Sequence, residues 1–121
     1  MAAPNIVNVT TITGKTAVAN VTTVTANVIT NAAGSSTVVK LNNITLSNYT
    51  AGTVGANVIF NRSSASPTNY YIGGSLSVPA QSTLVALAKD TSIYLEEGDV
   101  LQINASANSS ISMVASYEII S

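Results

Sequence analysis

The chain has 121 residues, a formal net charge of −1, 46% hydrophobic residues and only 7% charged ones. Its length suits one domain with its own core, and high hydrophobicity with so little charge excludes intrinsic disorder. Cys and His are both absent, which excludes disulfides, thiolate or imidazole metal ligands and any Ser-His-Asp or Cys-His nucleophile.

Ser, Thr and Asn make up over a third of the residues, while Glu, Gln, Lys, Arg and Met are scarce and Val, Ile and Thr abundant. That balance points to an all-β protein. Lys15, Lys40, Arg62 and Lys89 are scattered, so no basic cluster is present to neutralise a phosphate backbone and no nucleic-acid partner is expected. No apolar run approaches the roughly 20 residues that a membrane-spanning helix needs. Met1-Ala2-Ala3-Pro4-Asn5 carries neither the basic region nor the apolar run of a secretory signal. Asn-x-Ser/Thr triplets at Asn8, Asn20, Asn43, Asn48 and Asn104 follow from the composition rather than marking glycosylation.

In chain order, period-two patterning predicts a first strand over 6–13. Gly14-Lys15-Thr16 looks like the tail of a phosphate-binding loop. The first glycine of that motif would fall at Val9, however, and no helical pattern follows, so a strand-to-strand turn is expected. Strands follow over 16–21 and 24–30, then a turn over 31–36. In the next strand, 40–48, Ile44 and Leu46 share one face and Thr45 and Ser47 the other. A turn over 51–55 leads to strand 56–62, and a turn over 63–68 around Pro67 leads to strand 70–78, in which Gly73-Gly74 marks a bulge. Pro79-Ala80-Gln81 turns the chain into strand 83–88.

The run from Tyr94 to Ile103 reads as an apolar strand end, an acidic turn built on Glu96, Glu97, Gly98 and Asp99, and a second alternating strand over 100–105. A final apolar strand over 110–120 is expected to be central in its sheet. Two echoes (8–13 with 20–25, and 26–29 with 56–59) lack a third unit at fixed period and reflect a small residue alphabet. These elements predict one antiparallel β-sandwich or jelly-roll-like domain of about eight or nine strands over 1–121, with residues 1–14 as an arm or edge strand. Ile44, Leu46, Val58, Phe60, Leu84, Leu87, Leu95, Leu101, Ile103 and Val114 are the expected core.

No constellation carries chemistry. Asp90, Glu96, Glu97 and Asp99 concentrate the acids, yet a glycosidase pair needs a cleft with aromatic platforms, and the chain has no Trp. Glu96 and Glu97 are adjacent and point to opposite faces of an extended backbone. No ordered Asp-x-Asp-x-Asp-Gly loop is present to bind calcium. The expectation is therefore a solvated acidic turn, able to bridge to Lys or Arg of a neighbouring subunit. Catalytic, cofactor-binding and metal-ligating residues are all expected to be none, and the chain is read as no enzyme. Tyr49, Tyr70, Tyr71 and Tyr94 offer stacking faces for an alternative function, a carbohydrate- or host-surface-binding module.

The opening Asn5-Ile6-Val7-Asn8-Val9-Thr10-Thr11-Ile12-Thr13-Gly14-Lys15-Thr16-Ala17 resembles that of small virion structural proteins of tailed phages, particularly phages of cyanobacteria. So do Val78-Pro79-Ala80-Gln81-Ser82-Thr83-Leu84-Val85, Lys89-Asp90-Thr91-Ser92-Ile93-Tyr94-Leu95-Glu96-Glu97-Gly98-Asp99, and the closing Ser116-Tyr117-Glu118. The resemblance implies a compact β-sandwich attached to the particle. The leading expectation is a capsid decoration or cement protein, a homo-oligomer and by preference a trimer, contacting the major capsid protein or other virion proteins. Its place would be the virion, assembled in the host cytoplasm. A neck, tail or fibre-attachment protein is the nearest alternative. The resemblance supplies no motif that assigns binding residues.

Overall fold

The structure, a computed structural model, describes residues 11–62, 64 and 68–121. Two-residue alternation organises it. Along the strand Asp99–Ala105 every second side chain is buried and those between are half-exposed. The elements in order are β1 (Ile12–Val21), β2 (Ala26–Thr30), β3 (Val38–Asn48), β4 (Val54–Arg62), β5 (Asn69–Val78), β6 (Ser82–Leu87), a 3-10 turn (Lys89–Thr91), β7 (Ile93–Leu95), β8 (Asp99–Ala105) and β9 (Ile111–Ile120).

They form two antiparallel sheets. The first has the order β1-β9-β3-β6, with β7 continuing the β6 side of β3; the second has the order β2-β8-β4-β5. With β6 and β7 taken as one interrupted strand, this connectivity is that of an eight-stranded jelly roll. The strand over Ile111–Ile120 is central, held between β1 and β3 as expected.

Leu41, Ile44, Leu46, Leu95, Leu101, Ile103, Ile111 and Met113 are fully buried between the sheets. Each such side chain contributes about 1.5–3 kcal/mol relative to exposure. A bulge at Asn42 lets Leu41 and Ile44 both face inward although they are three positions apart; Leu41 pairs with Tyr117, and Asn43 with Ser116. Of the expected core, Ile44, Leu46, Val58, Leu87, Leu95, Leu101 and Ile103 are buried, while Phe60 and Leu84 pack against it partly covered.

Val114 is different: it lies on the outer face and is 43% exposed. Its strand is apolar on both sides, and pairing with β1 and β3 turns Met113 and Ala115 inward instead. The expected turn at Gly14-Lys15-Thr16 does not form either. β1 runs straight through it, with Gly14 paired to Glu118, Lys15 to Tyr117 and Thr16 to Ser116, so a continuous ladder overrides the local turn preference. β4 begins at Val54, inside the expected turn over 51–55. The Gly73-Gly74 irregularity is present: the β4–β5 register shifts between Ala56 and Val58 and again between Val58 and Ile59. Most of the expected strand over 6–13 and part of the turn over 63–68 lie outside the described residues.

Two buried asparagines close opposite ends of the sandwich. Asn31 Nδ2 donates to the carbonyls of Leu95 and Thr37, both at 2.9 Å, and its Oδ1 accepts from Ser35 Oγ and Thr37 Oγ1. At the other end Asn48 Nδ2 donates to the carbonyls of Val78 (3.0 Å) and Gly52 (2.8 Å), while its Oδ1 accepts from the amide and hydroxyl of Thr50. A buried amide is tolerated only where its donors and acceptors are met, and both residues satisfy that condition.

Candidate functional site: an acid turn, an amide face and an open strand edge

The acidic segment folds as a tight turn between β7 and β8. The Asp99 amide donates to the Glu96 carbonyl at 3.0 Å, and Gly98 holds φ 91°, the left-handed value a glycine reaches without steric cost. Asp99 is buried, with 2% of its side chain exposed. Arg62 reaches it from the facing position of β4: Nε donates to Oδ1 at 3.1 Å and Nη2 to Oδ2 at 2.8 Å. Arg62 Nη2 also meets Glu96 Oε2 at 2.7 Å, and the Glu96 amide donates to Asp99 Oδ2 at 2.8 Å. The guanidinium lies over the Phe60 ring, 5.1 Å from its centroid.

The hydrogen bonds Arg62 donates to Asp99, reinforced by the charges of Asp99 and Glu96, outweigh burial and raise Arg62 above its already high ordinary pKa. The turn is thus only in part the solvated one expected: Glu96 is 65% exposed, but Asp99 is buried, and an arginine of the same chain pairs with both. Asp90 stands apart, exposed in the 3-10 turn. Among the described residues no three acids gather closely enough to hold a metal ion. Arg62 escaped the sequence reading because 37 residues separate it from Asp99.

The outer face of the second sheet is a row of amides. Asn104 Nδ2 donates to Thr25 Oγ1, Asn57 Nδ2 to Asn104 Oδ1, and the Ser75 amide to Asn57 Oδ1, at 2.8, 2.8 and 2.7 Å. An open hollow of about 240 Å³ lies beside it, lined by residues that include Asn57, Ser75, Asn104 and Ser106. The four tyrosines singled out in the sequence are all exposed, but they do not gather there. Tyr70 and Tyr71 are consecutive on β5, Tyr94 lies on β7 of the other sheet, and Tyr49 follows the end of β3.

The outer face of the first sheet is of another kind. Val18, Val114, Thr45 and Val85 are cross-strand partners in one row across β1, β9, β3 and β6. Val18 is 73% exposed and Val85 55%. A shallow hollow of about 390 Å³ lies over β1 and β9, its lining including Val18, Asn20, Ser112 and Val114. Glu118 and Lys40 are neighbours in another row, and among the described residues neither forms an ion pair.

β1 borders this face. Thr11 and Ser121 exchange both backbone hydrogen bonds, at 2.9 and 3.0 Å, and the register from Ile12 to Val21 contains no shift. In an antiparallel ladder, bonded and non-bonded pairs alternate. The odd-numbered residues of β1 therefore bond to β9, whereas Ile12, Gly14, Thr16, Val18 and Asn20 turn their N–H and C=O groups to the side that, among the described residues, is open.

Among known proteins, no family model matches this chain and no curated protein does.

Proposed function

We propose that this chain is a structural subunit of a tailed-phage virion, and within the particle a capsid decoration or cement protein that holds shell subunits together through packed surface rather than chemistry. The carrying observation is the exposed row Val18, Val114 and Val85 on a sheet face whose neighbouring positions are mostly Thr, Ser and Asn. Such a surface loses little by desolvation when it is covered, because few ions must shed water. Repeated by the symmetry of a shell, contacts that are weak singly hold firmly together. The sequence resemblance supports the same reading, and the chain acts as a homo-oligomer that contacts the major capsid protein.

Quantitative mass spectrometry of purified particles tests it. A copy number comparable to that of the major capsid protein is expected. A few copies per particle, or labelling confined to the tail, would place the chain at the neck, tail or fibre attachment instead. Absence from particles overturns the reading.

A further inference from the structure

Among the described residues four strand edges bound the two sheets, and three of them are broken. β2 has five residues and a register shift between Asn27 and Ile29. β5 carries two register shifts and a non-glycine residue, Ser75, at φ 52°. The β6–β7 edge is interrupted by the 3-10 turn Lys89–Thr91. Short, bulged or interrupted edges are the usual protection against pairing with another chain. β1 lacks that protection: ten residues long, it is regular throughout and carries one charge, Lys15.

We infer that β1 is a self-association edge, and that two copies of this chain join their first sheets by antiparallel β1–β1 pairing about a two-fold axis. The partner follows from the edges themselves. A regular row of donors and acceptors needs an equally regular row opposite, and the described part of the molecule offers one such row, β1 again. A two-fold through Thr16 pairs Gly14 with Val18 of the second copy and Ile12 with its Asn20, so all five open positions find partners. Lys15 then faces Ala17 of the second copy, which avoids the clash of two ammonium groups that a two-fold through Lys15 would create. The first sheets of the two copies become one continuous sheet. This inference rests on strand geometry alone and holds whether or not the chain is a virion subunit.

Sedimentation equilibrium of the isolated full chain, with Thr16→Pro alongside, tests it. Thr16 turns its N–H to the open side, so proline removes an edge donor and no bond to β9. The wild-type chain is expected to sediment at about twice its 12.3 kDa at high micromolar concentration. Thr16→Pro should fall to half that mass with an unchanged circular dichroism spectrum. Thr16→Lys, which sets two ammonium groups opposite each other across the two-fold, gives the same result should the proline variant misfold. Hydrogen exchange at Ile12, Gly14, Thr16, Val18 and Asn20 should slow with rising wild-type concentration. A wild-type monomer, a trimer, or a dimer that both variants leave intact overturns the inference. None of these outcomes bears on copy number in particles, so this inference and the virion reading can fail separately.

Discussion

Arg62 and Asp99 face each other across β4 and β8, and the fork of the guanidinium grips both oxygens of a carboxylate that is otherwise sealed from water. The Arg62 amide also donates to the Thr68 carbonyl at 2.8 Å, so one residue ties the β4–β5 connection to the β7–β8 turn.

Asp99→Asn should therefore lower stability by about 2–3 kcal/mol, because it leaves the guanidinium without its main counter-charge and weakens bonds to a charged acceptor. Arg62→Lys keeps the charge and loses the two-pronged geometry, so it should fall between the wild type and Arg62→Ala. Glu97 is the contrast. Its Oε1 is buried with no hydrogen-bond partner among the described residues, and Glu97→Gln should leave stability unchanged or slightly raised. Urea midpoints of the four variants decide the order, and equal midpoints for Asp99→Asn and Glu97→Gln would refute it.

Gly98→Ala forces a Cβ into a left-handed position at the turn that seats Asp99. A loss of about 1–2 kcal/mol is expected. Because the Gly98 amide donates to the Asn31 carbonyl at 2.7 Å and the Asn31 amide to the Asp99 carbonyl at 3.0 Å, faster hydrogen exchange at Gly98 and Asn31 should accompany it. An unaltered melting temperature would show that the turn relaxes freely.

Met113 and Val114 are neighbours on β9 with opposite fates. Met113→Ala should lose about 2–5 kcal/mol, since it empties space between the sheets. Val114→Ala should stay within about 0.5 kcal/mol in the isolated monomer, as surface changes do. Denaturant titration of the two side by side checks the direction in which β9 faces; similar losses would reverse it.

Asn48→Ala strips partners from the carbonyls of Val78 and Gly52 and from the Thr50 amide at the far end of the sandwich. A loss of about 2–3 kcal/mol is expected, read as a shift in the thermal midpoint. Asn57→Ala, on the outer amide row, should cost well under half as much, because water replaces its bonds.

The strands were legible where one face is apolar and the other is not. Ile44 and Leu46 alternate with Thr45 and Ser47, and Leu101 and Ile103 with Gln102 and Asn104, so their inward faces could be read directly. Val114 was misplaced because Ile111, Met113, Val114 and Ala115 give β9 apolar residues on both faces, and only its neighbours choose between them. Gly14-Lys15-Thr16 carries turn vocabulary, yet ten unbroken pairings with β9 hold it extended. The solvated acidic turn failed in part, for a third reason. The acids are local, but the arginine that pairs with Glu96 and with the buried Asp99 arrives from another strand. An arm or edge strand at 1–14 was expected, but that β1 is the regular edge among the described strands was hidden, because regularity is judged by comparing edges that exist only in the folded sheets.

The pairing of β1 with β9 also sets the order of events during synthesis. β1 emerges early, yet among the described strands its one neighbour is the last in chain order, and β3 waits for that same strand on one side. β2 depends likewise on β8. Contacts so distant along the chain place folding in the slow, millisecond-to-second regime. Until β9 has been made, the nascent chain holds an unzipped first sheet in which β1 is bare along both sides, and this is the interval in which it is most exposed to misassembly with its neighbours on the same message.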